Sequence, residues 1–128
     1  VQTFEQFWED VGRYKLKIIH PFHVYKVAFA ENDVNGCGSK GGIDFPDSLW
    51  GASIFAACGT HDVDWREAKT LEDLKRGNKR FRENMELIVD AESSNRFIQW
   101  MRLKTMSRYY RMVKLVGTPA EAKARGFR

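Results

Sequence analysis

The sequence has no run of 18 or more apolar residues, so no segment of it reads as a membrane-spanning helix. Cysteine, proline and histidine are scarce, at two, three and three residues in 128. No glycine-rich phosphate motif, nucleophile elbow or zinc-type cysteine–histidine spacing occurs. Those absences set aside nucleotide cradling, serine-nucleophile chemistry and a zinc module. Internal repeats and low-complexity segments are also missing, which excludes a solenoid. The chain opens at Val1 with no basic-then-apolar leader, as expected of a processed or excised polypeptide.

What is present describes one folded unit. A hydrophobic fraction of 43% and an aromatic fraction of 13% suit a packed core rather than disorder. The length allows one core and is short for two, so residues 1–128 read as a single domain. The net charge of +4 is uneven. Residues 101–128 carry Arg102, Lys104, Arg108, Arg111, Lys114, Lys123, Arg125 and Arg128 against one acid, Glu121. Such a face suits anionic lipid, nucleic acid or an acidic protein, and a solvated helix surface is the plain alternative.

Hydrophobic spacing predicts an all-α fold. Thr3 and Gln6 form a capping-box pattern ahead of Phe4, Phe7, Trp8, Val11 and Tyr14, which predicts a helix from Phe4 to about Lys15. Pro21 within His20-Pro21-Phe22-His23 interrupts it, and residues 24–34 read as either a short extended or a short helical piece. Residues 35–49 read as one long loop, with four glycines between Asn35 and Gly42 and then Asp44, Pro46 and Asp47. A second helix is predicted from about Ser48 to about Lys69, with Ile54, Cys58, His61 and Trp65 on one face. A third runs from Leu71 to about Ala91 on the stripe Leu71, Leu74, Asn78, Phe81, Met85 and Ile88. A fourth, carried by Phe97, Trp100, Leu103, Met106, Tyr110 and Val113 as core residues, is expected to stop before Gly117-Thr118-Pro119.

Three polar features stand out: the glycine loop, the His61-Asp62 pair, and the amide Asn78 in an apolar row. A lone histidine on a packed face reads first as a hydrogen-bonded core residue. Asp62 beside it shifts the balance, because a carboxylate near a core needs a cation or hydrogen bonds. Calcium would supply charge, and a glycine loop can offer it backbone oxygens. Asn78, buried by its position in the stripe, needs partners of its own. His20 and His23 flank a proline with no cysteine nearby, a poor metal site. By spacing alone, Cys37 and Cys58 are either two thiols or one disulfide; a bridge would close about 20 residues and add roughly 3 kcal/mol.

Together, Asn35-Gly36-Cys37, Asp44, Pro46 and Ala57-Cys58-Gly59-Thr60-His61-Asp62-Val63-Asp64-Trp65 resemble the secreted phospholipase A2 superfamily, nearest in shape to its small bacterial and fungal branch. The resemblance covers about residues 35–88. It implies a phospholipase A2-like all-α fold: two long antiparallel helices carry the site, beside a calcium-type loop and flanking helices. It implies His61 as the general base that deprotonates water attacking the sn-2 ester of a glycerophospholipid. Asp62, the Asn35 side chain and the Gly36 carbonyl are implied as calcium ligands, with calcium polarising the ester carbonyl. A Cys37–Cys58 disulfide tying loop to helix is implied, as is a secreted or otherwise extracytoplasmic setting.

This sequence departs from the family in the support of that site. The family usually has an aspartate on the third helix to orient the histidine; the matching position is Asn78. An amide oxygen accepts the imidazole N–H but does not stabilise an imidazolium as a carboxylate does. Trp65 stands where the family prefers tyrosine, and Asn35 replaces a loop aspartate. Asp64 and Asp73 lie outside the third-helix stripe and rank below Asn78 as the histidine's partner. The loop is one residue longer than in the animal enzymes. The expected function is calcium-dependent phospholipid hydrolysis at a membrane surface, with the basic last helix favouring anionic lipid and Trp8, Trp50 and Phe127 as candidate interfacial aromatics. The alternative is a catalytically weakened module that binds anionic lipid or an acidic protein. Nucleic-acid binding is the weakest of the three.

Overall fold

A computed structural model describes residues 2–37 and 46–128 of the chain. The predicted loop residues Gly38, Ser39, Lys40, Gly41, Gly42 and Asp44 lie outside the described residues. Among the described residues the chain is mostly helical, as the periodicity predicts, with six α-helices, one π turn and a two-stranded hairpin. No described helix is long and apolar enough to cross a membrane.

The first helix, α1 (Phe4–Tyr14), starts on the predicted capping box, with Thr3 and Gln6 each satisfying the other's backbone N–H. Lys15 ends it in the left-handed region at φ 53°. Of residues 24–34, open from sequence, those up to Ala30 are helical: α2 (Phe22–Ala30) begins directly after Pro21. Proline suits that edge because it donates no backbone N–H.

The second predicted helix starts later than expected. Ser48–Leu49 (β1) and Ala52–Ser53 (β2) pair as an antiparallel hairpin, and α3 begins only at Phe55, running Phe55–Arg66. The hairpin turns on Trp50 (φ 48°) and Gly51 (φ 88°), consecutive left-handed residues of the kind that match strand twist in a two-residue turn. The spacing of Ile54, Cys58, His61 and Trp65 marks a buried face but carries no information about where the helix opens.

Helix α4 (Leu71–Glu92) starts under a Thr70 cap and lies antiparallel against α3. Residues further along α4 meet residues further back on α3: Leu74 meets Trp65, Asn78 meets His61, and Asn84 meets Thr60. Close approach needs a small residue on the seam. Gly77 provides it, since a Cβ there would sit 3.1 Å from the Asp64 Cβ and 3.2 Å from the Trp65 ring. Residues Phe55 through Trp65 of α3 are all buried, covered by α1, α2 and α4. Such a helix is expected to be apolar all round. This one instead carries Thr60, His61, Asp62 and Asp64 inside the core.

The fourth predicted helix, α5 (Arg96–Met112), does not stop at Gly117-Thr118-Pro119. It widens into a π turn (Val113–Gly117) and continues as α6 (Thr118–Arg125), with Pro119 in the first turn, where it needs no N–H. The expectation that its apolar stripe is core holds for Met106 and Val113 only in part of the helix. Phe97 and Trp100 are 65% and 57% exposed, on the side of α5 away from Ile98 and Gln99, which are half-buried. Arg102, counted above as part of a basic surface, is buried. Its guanidinium donates to the carbonyls of Leu49, Trp50 and Glu92 and to the Ser93 hydroxyl, locking the hairpin to the α4–α5 corner.

Candidate functional site

The site is built where three segments meet: the start of the loop, the middle of α3 and the second turn of α4. Cys37 and Cys58 form a disulfide with Cα atoms 5.0 Å apart, which joins the loop to α3. That bridge brings Asn35 and Gly36 beside Asp62, one turn further along the helix. Gly36 has φ 81°, and a Cβ on it would come within 2.7 Å of the Phe55 ring, so both conformation and space require glycine.

Asp62 is buried and its Oδ2 accepts two backbone hydrogen bonds, from Asn35 N at 2.9 Å and Gly36 N at 3.0 Å. The expected residues therefore meet, but through a different chemistry. Calcium takes six to eight oxygen ligands, whereas the loop turns N–H donors toward this carboxylate. The Asn35 residue is exposed. Among the described residues no group of three or more histidine, cysteine, aspartate or glutamate side chains converges.

His61 is 1% exposed and its Nε2 lies 2.8 Å from Asn78 Oδ1. The imidazole stacks on Phe81, with centroids 4.7 Å apart and planes at 25°, and abuts Trp65 at 4.6 Å. The two aromatic walls and the Asn78 contact thus help to fix the ring's orientation. Asn78 is the third-helix residue that reaches the histidine; Asp64 and Asp73 have other work. Asp73 accepts from Lys69 N at the α4 N-terminus, and that hydrogen bond holds its carboxyl below the usual range. Trp65 does not stand in for a tyrosine hydroxyl toward Asn78: its indole N–H donates to Leu74 O at 3.2 Å.

Asp64 points to the other side of α3. It pairs with Arg80 at 2.9 Å and stands 3.3 Å from His20 Nε2. The His20 ring packs against Tyr25, whose phenol is pushed up to about 12 by burial and then by the Asp64 charge. His20 thus belongs to a buried charge cluster, and His23 is exposed.

Several residues of this constellation escaped the reading by pattern. Asn84 is fully buried, accepting from Lys17 N at 2.7 Å and donating to Lys17 O and Thr60 Oγ1. Its position three after Phe81 and four before Ile88 was the available signal. Thr118, 4% exposed, accepts from Asn78 Nδ2 at 2.7 Å. Nothing local marks it, since Gly-Thr-Pro reads as a helix stop.

Fold and site thus define a small, mostly helical, disulfide-tied domain with a buried histidine–amide pair beside a loop-capped aspartate. No protein-family model, curated protein or solved structure matches this chain.

Proposed function

We propose that this domain is a phospholipase A2-like carboxylic ester hydrolase that acts on glycerophospholipid at an anionic membrane surface. The observation that carries the reading is the His61 Nε2–Asn78 Oδ1 contact of 2.8 Å between antiparallel α3 and α4. An amide oxygen on Nε2 calls for the ring proton there, and in this reading Nδ1 acts as the base toward a water that attacks the ester carbonyl. In this reading Asp62 and the Cys37–Cys58 bridge hold the loop against the histidine helix. Calcium, held by Asp62 with the Asn35 side chain and the Gly36 carbonyl, would polarise the ester carbonyl.

A lipid surface is supported by a separate face. Trp50, Phe97 and Trp100 are 60%, 65% and 57% exposed, with Lys104 and Arg108 among them. Lys104 Nζ stands 5.1 Å from the Trp100 ring centroid. Trp50 is held outward in a left-handed conformation that a bulky residue rarely adopts, by its indole bond to Thr105 Oγ1 at 3.0 Å and by Arg102 on its carbonyl. Aromatic rings interleaved with cations suit the headgroup region of an anionic bilayer.

A second reading is favoured by the closed site. With His61 1% exposed and Asp62 Oδ2 occupied by N–H donors, the domain is instead a weakened relative that holds anionic lipid without efficient hydrolysis. Liposome hydrolysis with added calcium and with chelator separates the two. The enzyme reading expects fatty acid release that His61→Ala abolishes. Equal release from wild type and His61→Ala leaves only the lipid-holding module.

A further inference from the structure

An asparagine in place of an orienting aspartate creates a problem that the aspartate does not have. A carboxylate offers an acceptor at either oxygen, but an amide has one acceptor end and one donor end of nearly equal size. Turned one way, Asn78 accepts a proton from His61; turned the other, it donates one. The two orientations demand opposite tautomers of the imidazole.

The hydrogen bonds behind Asn78 remove the ambiguity. Thr118 Oγ1 lies 2.8 Å from Val113 O, and a carbonyl can only accept, so the single hydroxyl proton of Thr118 is given there. Toward Asn78, at 2.7 Å, the same oxygen can then only accept. That puts the Asn78 NH2 on Thr118 and its oxygen on His61, and an oxygen 2.8 Å from Nε2 requires Nε2 to carry the proton. In the neutral ring the lone pair is then on Nδ1. Reversing the amide would set Oδ1 against a hydroxyl already committed to Val113 O. With His61, Asn78, Val113 and Thr118 exposed by 1%, 2%, 1% and 4%, unmet groups there carry a full desolvation cost.

The π turn makes this relay possible. In a regular helix the Val113 carbonyl would accept from residue 117. The π turn moves that bond to Thr118, whose backbone N–H and hydroxyl both meet Val113 O. The widened turn thereby places Thr118 over α4 at Asn78. π turns of this kind recur at functional sites.

We propose that Thr118 is a positioning residue: its hydroxyl, fixed on Val113 O, orients the Asn78 amide and thereby holds His61 as the Nε2–H tautomer with Nδ1 as the base. The assignment of a tautomer stands on geometry alone; its consequence for turnover rests on the hydrolase reading above.

Side-chain 15N NMR of the labelled protein, at a pH where His61 is neutral, tests it. The wild type should show Nε2–H for His61. Thr118→Val should give mixed tautomers, Thr118→Ser should keep the wild-type signature, and Thr118→Ala replaces the valine variant if that one does not fold. Placed in an Asn78→Asp background, Thr118→Val should no longer alter the tautomer, because a carboxylate needs no orienting. In liposome hydrolysis Thr118→Val should lower kcat by about tenfold with KM nearly unchanged, and Thr118→Ser should restore it. An Nδ1–H ring in the wild type overturns the proposal. So does a folded Thr118→Val or Thr118→Ala protein that keeps Nε2–H alone. If no variant hydrolyses lipid, the hydrolase reading fails while the spectra still decide the relay.

Discussion

Asn78 Oδ1 stands 2.8 Å from Nε2 of His61, and both side chains are all but sealed from solvent. An acceptor so placed orients a neutral imidazole well and stabilises an imidazolium poorly. Asn78→Asp should therefore raise hydrolysis, since the carboxylate supports the charge that develops on the ring during proton transfer. A tenfold gain in kcat is the scale expected from about 1.4 kcal/mol of added stabilisation. Liposome assays of wild type and Asn78→Asp check this, and no gain would mean that support of the imidazolium does not limit turnover.

Removing the amide without replacing it leaves a buried imidazole N–H and a buried threonine oxygen without their partner. Asn78→Leu should destabilise the fold by about 1–3 kcal/mol. Urea denaturation followed by circular dichroism reads that loss. A change below experimental error would mean that the pair is not formed in solution.

The Cys37–Cys58 bridge spans a sequence separation of 21 and joins the start of the loop, whose amides meet Asp62, to α3. A double Cys37→Ser, Cys58→Ser variant should lose roughly 3 kcal/mol through the unfolded state. Its loop contacts should loosen first, which hydrogen exchange would register at the Asn35 and Gly36 amides that bind Asp62. Uniform protection across wild type and variant at those amides would count against the loop's dependence on the bridge.

Arg102 donates to three backbone carbonyls and one hydroxyl at the base of the hairpin. Arg102→Met keeps most of the volume and loses every donor. The expected cost is about 3 kcal/mol, the scale of hydrogen bonds from a charged group. Trp50 should become freer, since Arg102 holds its carbonyl; its fluorescence anisotropy should fall. On anionic vesicles, Trp50→Ala with Lys104→Glu should weaken binding while leaving the melting temperature close to wild type, because both residues are exposed.

Tyr25 gives the fold an alkaline limit. Burial and the Asp64 charge raise its phenol from 10 to about 12. A raised phenol means that the unfolded chain ionises first. This contribution is intact below pH 10 and declines as the pH rises toward 12, by about 3 kcal/mol in all. Absorbance titration at alkaline pH should show one late phenol that Tyr25→Phe removes, and that variant should lose less stability over the same window.

The two helices α3 and α4 and their buried faces were legible because their residues repeat at helical spacing. Their antiparallel pairing and the His61–Asn78 contact were expected from the family resemblance alone, since spacing along one helix does not say which residue of another it meets. The hairpin was not, because four paired residues around Trp50 and Gly51 give too short a signal to read against a helix pattern. Phe97 and Trp100 followed the same helical rule as Met106, yet only the packing of α5 against its neighbours decided that they face solvent.

The sequence by itself determined the mostly helical class, the capping box at Thr3 and the polar residues His61 and Asn78 set in apolar rows, because each depends on spacing along one chain. Tertiary structure decided the rest. Asp62 receives the backbone N–H groups of Asn35 and Gly36, and Arg102 lies inside rather than on a basic face. Thr118 reaches Asn78 across a separation of 40 residues through a π turn that its Gly-Thr-Pro setting conceals. Periodicity reports which side of a helix is covered; the partner of a buried polar group depends on which distant atom completes its hydrogen bond.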